Sequence, residues 1–241
     1  MVSSFIWNSE NSHENGLWIK QMPKTTKPRE RYQIINIPGR AGSLTMKEGE
    51  DIYDETVKEI VVQTTRDNVK TPHIINWLHG SGTLILSTDK GKAYDAQILD
   101  EVAFSNISND LMQATIPFIC SPFKRRRYPD DDKVRMIVDG GLFNPGDVRS
   151  FPKITVNATD AGQIVRFAVN GNEFKVDMTG MLDTGCVISS ETEMVMNYAE
   201  NVLFTEKSTG DFPVFLPGAN QITLIAGISS IDIEPGWRWL G

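Results

Sequence analysis

"RFAVNGNEFKV", residues 166–176, is the stretch on which the reading of this chain turns. Phe167 and Val169 stand at alternate positions before Asn170-Gly171, and Phe174 and Val176 alternate with Glu173, Lys175 and Asp177 after it. Both turn residues tolerate positive φ, as a two-residue hairpin loop requires. The spacing therefore predicts two half-buried strands joined by a tight turn.

The same period-two pattern extends outward in both directions. Downstream, strands are expected at 186–190, 192–197, 220–226 and 229–233. Upstream, they are expected at 33–37, 57–65, 83–87, 135–138 and 153–158. Within 94–104, Tyr94, Ala96, Ile98, Val102 and Phe104 share a face, broken only by Asp100. Within 112–120, Met112, Ala114, Ile116, Phe118 and Cys120 do the same. Pro38-Gly39, Lys90-Gly91 and Pro217-Gly218 punctuate these runs. One helix is expected over 72–79, with Thr71 as cap, Pro72 at the first helical position and Gly80 as stop. Its Ile74, Trp77 and Leu78 fall on one face, and two turns need a sheet to pack on. "EMVMNYAENV" (193–202) is ambiguous between helix and strand. The fold class is mainly β, in two domains: 1–130 with the helix, a charged linker at 131–144, and a β-sandwich at 145–241.

Bulk properties exclude several function classes. The chain has 241 residues and a net charge of −7. Residues 145–241 hold 6 Lys/Arg against 12 Asp/Glu, so this half suits no phosphate backbone. The basic run Lys124–Arg127 precedes Asp130-Asp131-Asp132, which offsets its field, and it reads as a solvated linker. No apolar run approaches the roughly 20 residues of a membrane helix. "MVSSFIWNSENS" lacks a basic region followed by an apolar one, so no signal peptide is expected. Cys120 and Cys186 lie far apart and suit free thiols in a reducing cytoplasm, with one long-range disulfide left open.

Candidate chemistry is sparse. Leu182-Asp183-Thr184-Gly185 has the letters of an aspartic peptidase loop. Catalysis would need a second carboxylate about 3 Å away, from a symmetric dimer, and a buried apolar strand leading in. Asp177, Thr179 and Gly180 interrupt such a strand. The preferred reading is a turn, with Asp183 bonding its own backbone and Gly185 supplying positive φ. His73 and His79 are six apart, not at the i, i+4 spacing of paired ligands, and His13 stands alone. "PGRAGS" (38–43) lacks the Lys-Ser/Thr of a phosphate loop and reads as a turn on Gly39 and Gly42. No catalytic, cofactor-binding or metal residues are assigned, and no cofactor is expected. Trp237 and Trp239, two apart on a terminal strand, could stack on a sugar or a subunit, or pack in the core.

Several stretches together resemble the distal tail (Dit) proteins of long-tailed, non-contractile phages of Gram-positive bacteria. In the first half these are "FIWNSENSHENGLWI", "INIPGRAGSL", "EDIYDETV", "INWLHGSGTLILSTDKGKAYDAQI" and "QATIPFICSPFKRR". In the second half they are "FNPGDVRSFPKITV", "RFAVNGNEFKV", "TGDFPVFLPGANQITLIAG" and "IDIEPGWRW". The order covers nearly the whole chain. Gly236 departs from the pattern, where an arginine is expected before Trp-Arg-Trp.

The resemblance implies a β-sandwich-like, ring-forming N-terminal domain and a galectin-like C-terminal β-sandwich. It further implies a homohexameric ring at the virion tail tip, made in the host bacterial cytoplasm, through which DNA passes. Implied partners are the tail-tube protein, a tail-associated fibre or lysin protein, and receptor-binding proteins held by the outward-projecting C-terminal domains. No membrane and no specific nucleic-acid partner is implied, and no enzymatic activity. The alternatives are a carbohydrate-binding sandwich, resting on the galectin-like half and on Trp237 and Trp239, and a dimeric peptidase, resting on Asp183.

Overall fold

The computed structural model describes residues 3–69 and 72–241. It is mainly β, as the alternation predicts. The contacts divide it into two compact units, one running to Arg127 and including Leu240–Gly241, the other Tyr128–Trp239.

The first unit is built on one antiparallel sheet. Its strands run in the order Glu10–Asn11, Phe5–Trp7, Gly80–Leu86, Lys92–Ile98, Leu111–Arg126, Thr56–Thr65, Trp18–Gln21. The long strand Leu111–Arg126 is central, and its Ala114, Ile116, Phe118 and Cys120 point inward, as their spacing predicts. It extends six residues beyond the expected 120, through a register shift between Cys120 and Lys124. The run 94–104 does the opposite: Lys92–Ile98 is a strand, but Leu99 faces solvent and pairing stops there.

The expected helix forms at Pro72–Trp77, and Leu78 N–H still donates to Ile74 O at 3.1 Å. Thr71, the expected cap, lies outside the described residues. Ile74, Trp77 and Leu78 are all buried, so the predicted stripe is the one that packs. Two indoles fix it in place. Trp7 Nε1 donates to Trp77 O, and Trp77 Nε1 donates to Trp7 O, each at 3.0 Å. Phe5 stacks on Trp77 with ring centroids 5.8 Å apart, and Phe118 meets Phe5 and Trp7 edge-on at 5.5 and 5.3 Å.

The second unit contains two five-stranded antiparallel sheets. One has the order Val134–Met136, Ile228–Glu234, Lys153–Ala158, Gly185–Ser189, Met194–Met196. The other has Gly140–Asn144, Gly218–Ala226, Ile164–Val169, Asn172–Asp177, Ser208–Thr209. Inward residues of both sheets make one core, with Ile154, Val156, Phe167, Phe174, Ile188, Ile222 and Ile231 among its buried members. The hairpin at 166–176 forms in the predicted register, with Phe167 opposite Phe174 and Val169 opposite Asn172. Asn170 and Gly171 adopt φ of 53° and 84°.

Two expectations are corrected. The stretch 131–144 is not a linker: Val134–Met136 pairs with Ile228–Glu234, and Gly140–Asn144 pairs with Gly218–Ala226. The strand expected at 135–138 forms at Val134–Met136, while the glycine-rich part resembles a loop locally and takes its conformation from a strand partner distant in sequence. Nor is Lys124–Arg127 a linker, since its first three residues are strand. Lys124, Arg125 and Arg126 end the central strand, and Lys124 and Arg125 pair with Asp89 at 3.5 Å and Asp95 at 3.0 Å. The ambiguous 193–202 holds the short strand Met194–Met196 and no helix.

A Cβ at Gly171 would meet nothing within 4 Å. Gly171→Ala should therefore lose only the left-handed backbone term, about 1–2 kcal/mol. Urea unfolding of the variant measures this; a change of several kcal/mol would show that the turn packs against something.

Candidate functional site

The residues that drew attention in the sequence scatter, and most prove structural. Thr184 O accepts from Ala158 N–H at 2.8 Å, tying the Asp183–Gly185 turn to the neighbouring strand. A Cβ at Gly185 would lie 2.1 Å from Val156 O, so the glycine is there for close backbone approach. Positive φ, the reason expected, belongs to Gly180 instead (φ +83°). Leu182 is 96% exposed, so within this chain the loop faces solvent rather than a dry cleft.

His73 Nε2 lies 3.1 Å from Glu10 Oε2 and 3.2 Å from Asn15 Oδ1, while His79 contacts Asn76 O. Among the described residues no group of three or more His, Cys, Asp or Glu could hold a metal ion. Cys120 and Cys186 are free and buried, and burial pushes both thiols up to about 12. They therefore stay protonated and make poor nucleophiles.

Trp237 and Trp239 are only 5% and 7% exposed. Trp237 packs 5.8 Å from Phe215, and Trp239 Nε1 donates to Pro145 O at 3.0 Å. Arg238 lies between them, 4.6 Å from the Phe151 ring and bonded to Arg149 O. Neither indole offers a face for a sugar.

One feature is built and left uncovered. Tyr32–Ile35 and Leu44–Lys47 pair only with each other, as a two-stranded ribbon. Ile34 sits opposite Thr45, and Tyr32 opposite Lys47, on one face. Gln33 opposite Met46, and Ile35 opposite Leu44, occupy the other. Apolar groups therefore stand on both faces, with Ile34 62% and Met46 48% exposed. An isolated two-stranded hairpin is at best marginally stable in water. "PGRAGS" forms its tip, with Gly39 and Gly42 both at φ +80°. The sequence offered the strand at 33–37 but not its partner, because Leu44–Lys47 is too short to show a period.

The base of the ribbon is anchored. Arg31 N–H donates to Ile52 O at 3.0 Å and Asp54 N–H to Arg29 O at 2.8 Å. Tyr53 meets Phe123 of the central strand edge-on at 5.7 Å. Glu30 accepts from Tyr32 OH and lies 2.8 Å from Lys47 Nζ. The hydrogen bond from Lys47, then that from Tyr32, hold the Glu30 carboxyl down at about 2. Lys47 and Tyr32 are raised in return, chiefly by Glu30. A second exposed apolar group lies in the other unit, where Ile137, Val138 and Phe143 face solvent on and beside the edge strand Gly140–Asn144.

No family model matches the sequence, and no curated protein matches it. Among solved structures, the chain is similar to the Dit protein (gp 19.1) of phage SPP1, described as a paradigm of the hub adsorption apparatus in phages infecting Gram-positive bacteria. The TM-score is 0.73 at 12% identity, covering 100% of both chains. Two structures of the phage p2 baseplate in its activated conformation, with strontium and with calcium, overlap at TM-scores of 0.48 and 0.46. Their identities are 10% and 11%, over 97% of each chain. Those two overlaps are too slight to establish a fold. The SPP1 match shows that this chain has the fold of that protein, end to end.

The low Glu30 value sets a pH dependence for the ribbon. Its folded value lies below the ordinary 4.5, so the anchoring it gives is complete above that pH and is lost as pH falls toward 2. A carboxyl titration followed by NMR should place the Glu30 midpoint near 2, and Glu30→Gln should speed amide exchange in residues 32–35 and 44–47. A midpoint at the ordinary value would show that Lys47 and Tyr32 do not hold it.

Proposed function

We propose that this chain is a structural subunit of a phage tail tip, six copies of which close into a ring. The ring joins the tail tube to the tail-associated fibre or lysin protein, and its second unit holds receptor-binding proteins. The observation that carries this reading is the end-to-end fold match to a hub protein of the adsorption apparatus.

Two features of the chain support the ring. An uncovered ribbon with apolar side chains on both faces needs a neighbour on each side, and a closed cyclic assembly supplies both. A wall without net positive charge also lets DNA pass without gripping its phosphates. The chain works as an assembly part rather than an enzyme, needs no cofactor, and resides at the virion tail tip after synthesis in the host cytoplasm.

The carbohydrate-binding reading loses its two tryptophans, since Trp237 and Trp239 are core, and keeps only the sandwich shape. The peptidase reading loses its cleft.

Antibodies against the chain should label the distal tail end in negative-stain images of the phage that encodes it. Labelling elsewhere, or on no part of the tail, would sink the proposal. Ile34→Asp or Met46→Asp should leave the melting of the isolated chain little changed. In the assembly, each charge placed in a buried apolar contact should weaken association by at least about 2 kcal/mol, on the order of thirtyfold. Sedimentation of the variants, compared with the parent chain, measures this.

A further inference from the structure

The strand Thr56–Thr65 places Lys58, Ile60, Val62 and Thr64 inward, while Val57 and Glu59 face out. A lysine thus occupies a core-facing position and is only 2% exposed. Its ammonium donates to Thr26 Oγ1 at 3.2 Å and stands 5.6 Å from the centre of the Tyr94 ring. No carboxylate among the described residues lies within ion-pair reach of it. Lys124 stands 5.5 Å from the same ring. It reaches Asp89 at 3.5 Å, and Lys92 reaches that same carboxylate at 3.7 Å.

Two ammonium groups therefore meet at one carboxylate, and a third, Lys58, lies buried over the Tyr94 ring without a counter-charge. Burial first, and then repulsion by Lys124, push Lys58 below its ordinary value. A buried cation without an anion is strongly disfavoured. Between these side chains lies a cavity of about 110 Å³. One water needs roughly 10–15 Å³ on the same measure, so the space admits a small oxyanion.

We propose that this cavity is an anion site, in which Lys58, Lys92 and Lys124 together hold one inorganic oxyanion of the phosphate class. Lys58 brings a positive charge that Asp89 does not reach, which favours an anion with several oxygens to share among the ammonium groups. The ammonium groups come from three different strands, Thr56–Thr65, Lys92–Ile98 and Leu111–Arg126, so the bound ion braces the sheet at the end where the central strand is irregular. The site requires one copy of the chain only, so its test is independent of the ring.

The experiment uses the full chain, titrated with sodium phosphate against sodium chloride at equal ionic strength. Thermal unfolding and titration calorimetry are the readouts. Phosphate should raise the unfolding temperature to a plateau that chloride does not reach, with one phosphate bound per chain. Sulfate should compete for it. Lys58→Met should weaken binding at least about tenfold, and Lys124→Gln, on the strand end and better tolerated, should weaken it as well. Lys175→Gln, in the other unit, should leave it unchanged. Equal effects of phosphate and chloride, full affinity in Lys124→Gln, or binding of acetate but not phosphate would each overturn the proposal.

Discussion

Two indole N–H groups, each accepted by the other tryptophan's carbonyl, hold the first unit in register. Trp7 lies on a strand of three residues, and Trp77 ends a helix of six. Neither element is long enough to persist by itself. The reciprocal bonds satisfy two buried donors and two backbone acceptors at once, and Phe5 and Phe118 close around them. With the helix pinned, Ile74 and Leu78 cover the inward face of the sheet, and the long central strand gains its partner layer.

The two units handle their edges differently. In the second, two five-stranded sheets bury their facing sides against each other. In the first, the ribbon from Tyr32 to Lys47 leaves both faces open although its base is held by Glu30, Arg31 and Tyr53. A firm base beneath an uncovered apolar ribbon makes sense as an assembly element, because the exposed part is presented in a fixed place. That physical feature supports the proposed ring, and the end-to-end match shows the fold.

Much of the fold was legible because its signals were local. Asn170-Gly171 carries its turn in two letters, and the alternation in 112–120 is long enough to show a period. Phe5–Trp7 and Leu44–Lys47 escaped notice because three or four residues cannot show one. Val134–Met136 lies at the strand expected over 135–138, but Gly140–Asn144 was hidden by its glycines, its conformation being decided by a partner at 218–226. Lys58 was illegible for another reason. A lysine in an alternating strand is expected to face water, but Ile60 and Val62 fix the phase and carry it inward. Gly185 showed the right residue for the wrong reason, since close approach and positive φ both select glycine.

The central proposal is the closed ring of six copies. The mass of the assembly, measured by native mass spectrometry on the full chain alone and mixed with the tail-tube protein, tests it most directly. The account predicts a discrete species of six copies, alone or on the tube protein. A chain that remains monomeric at high concentration and in the mixture would contradict it.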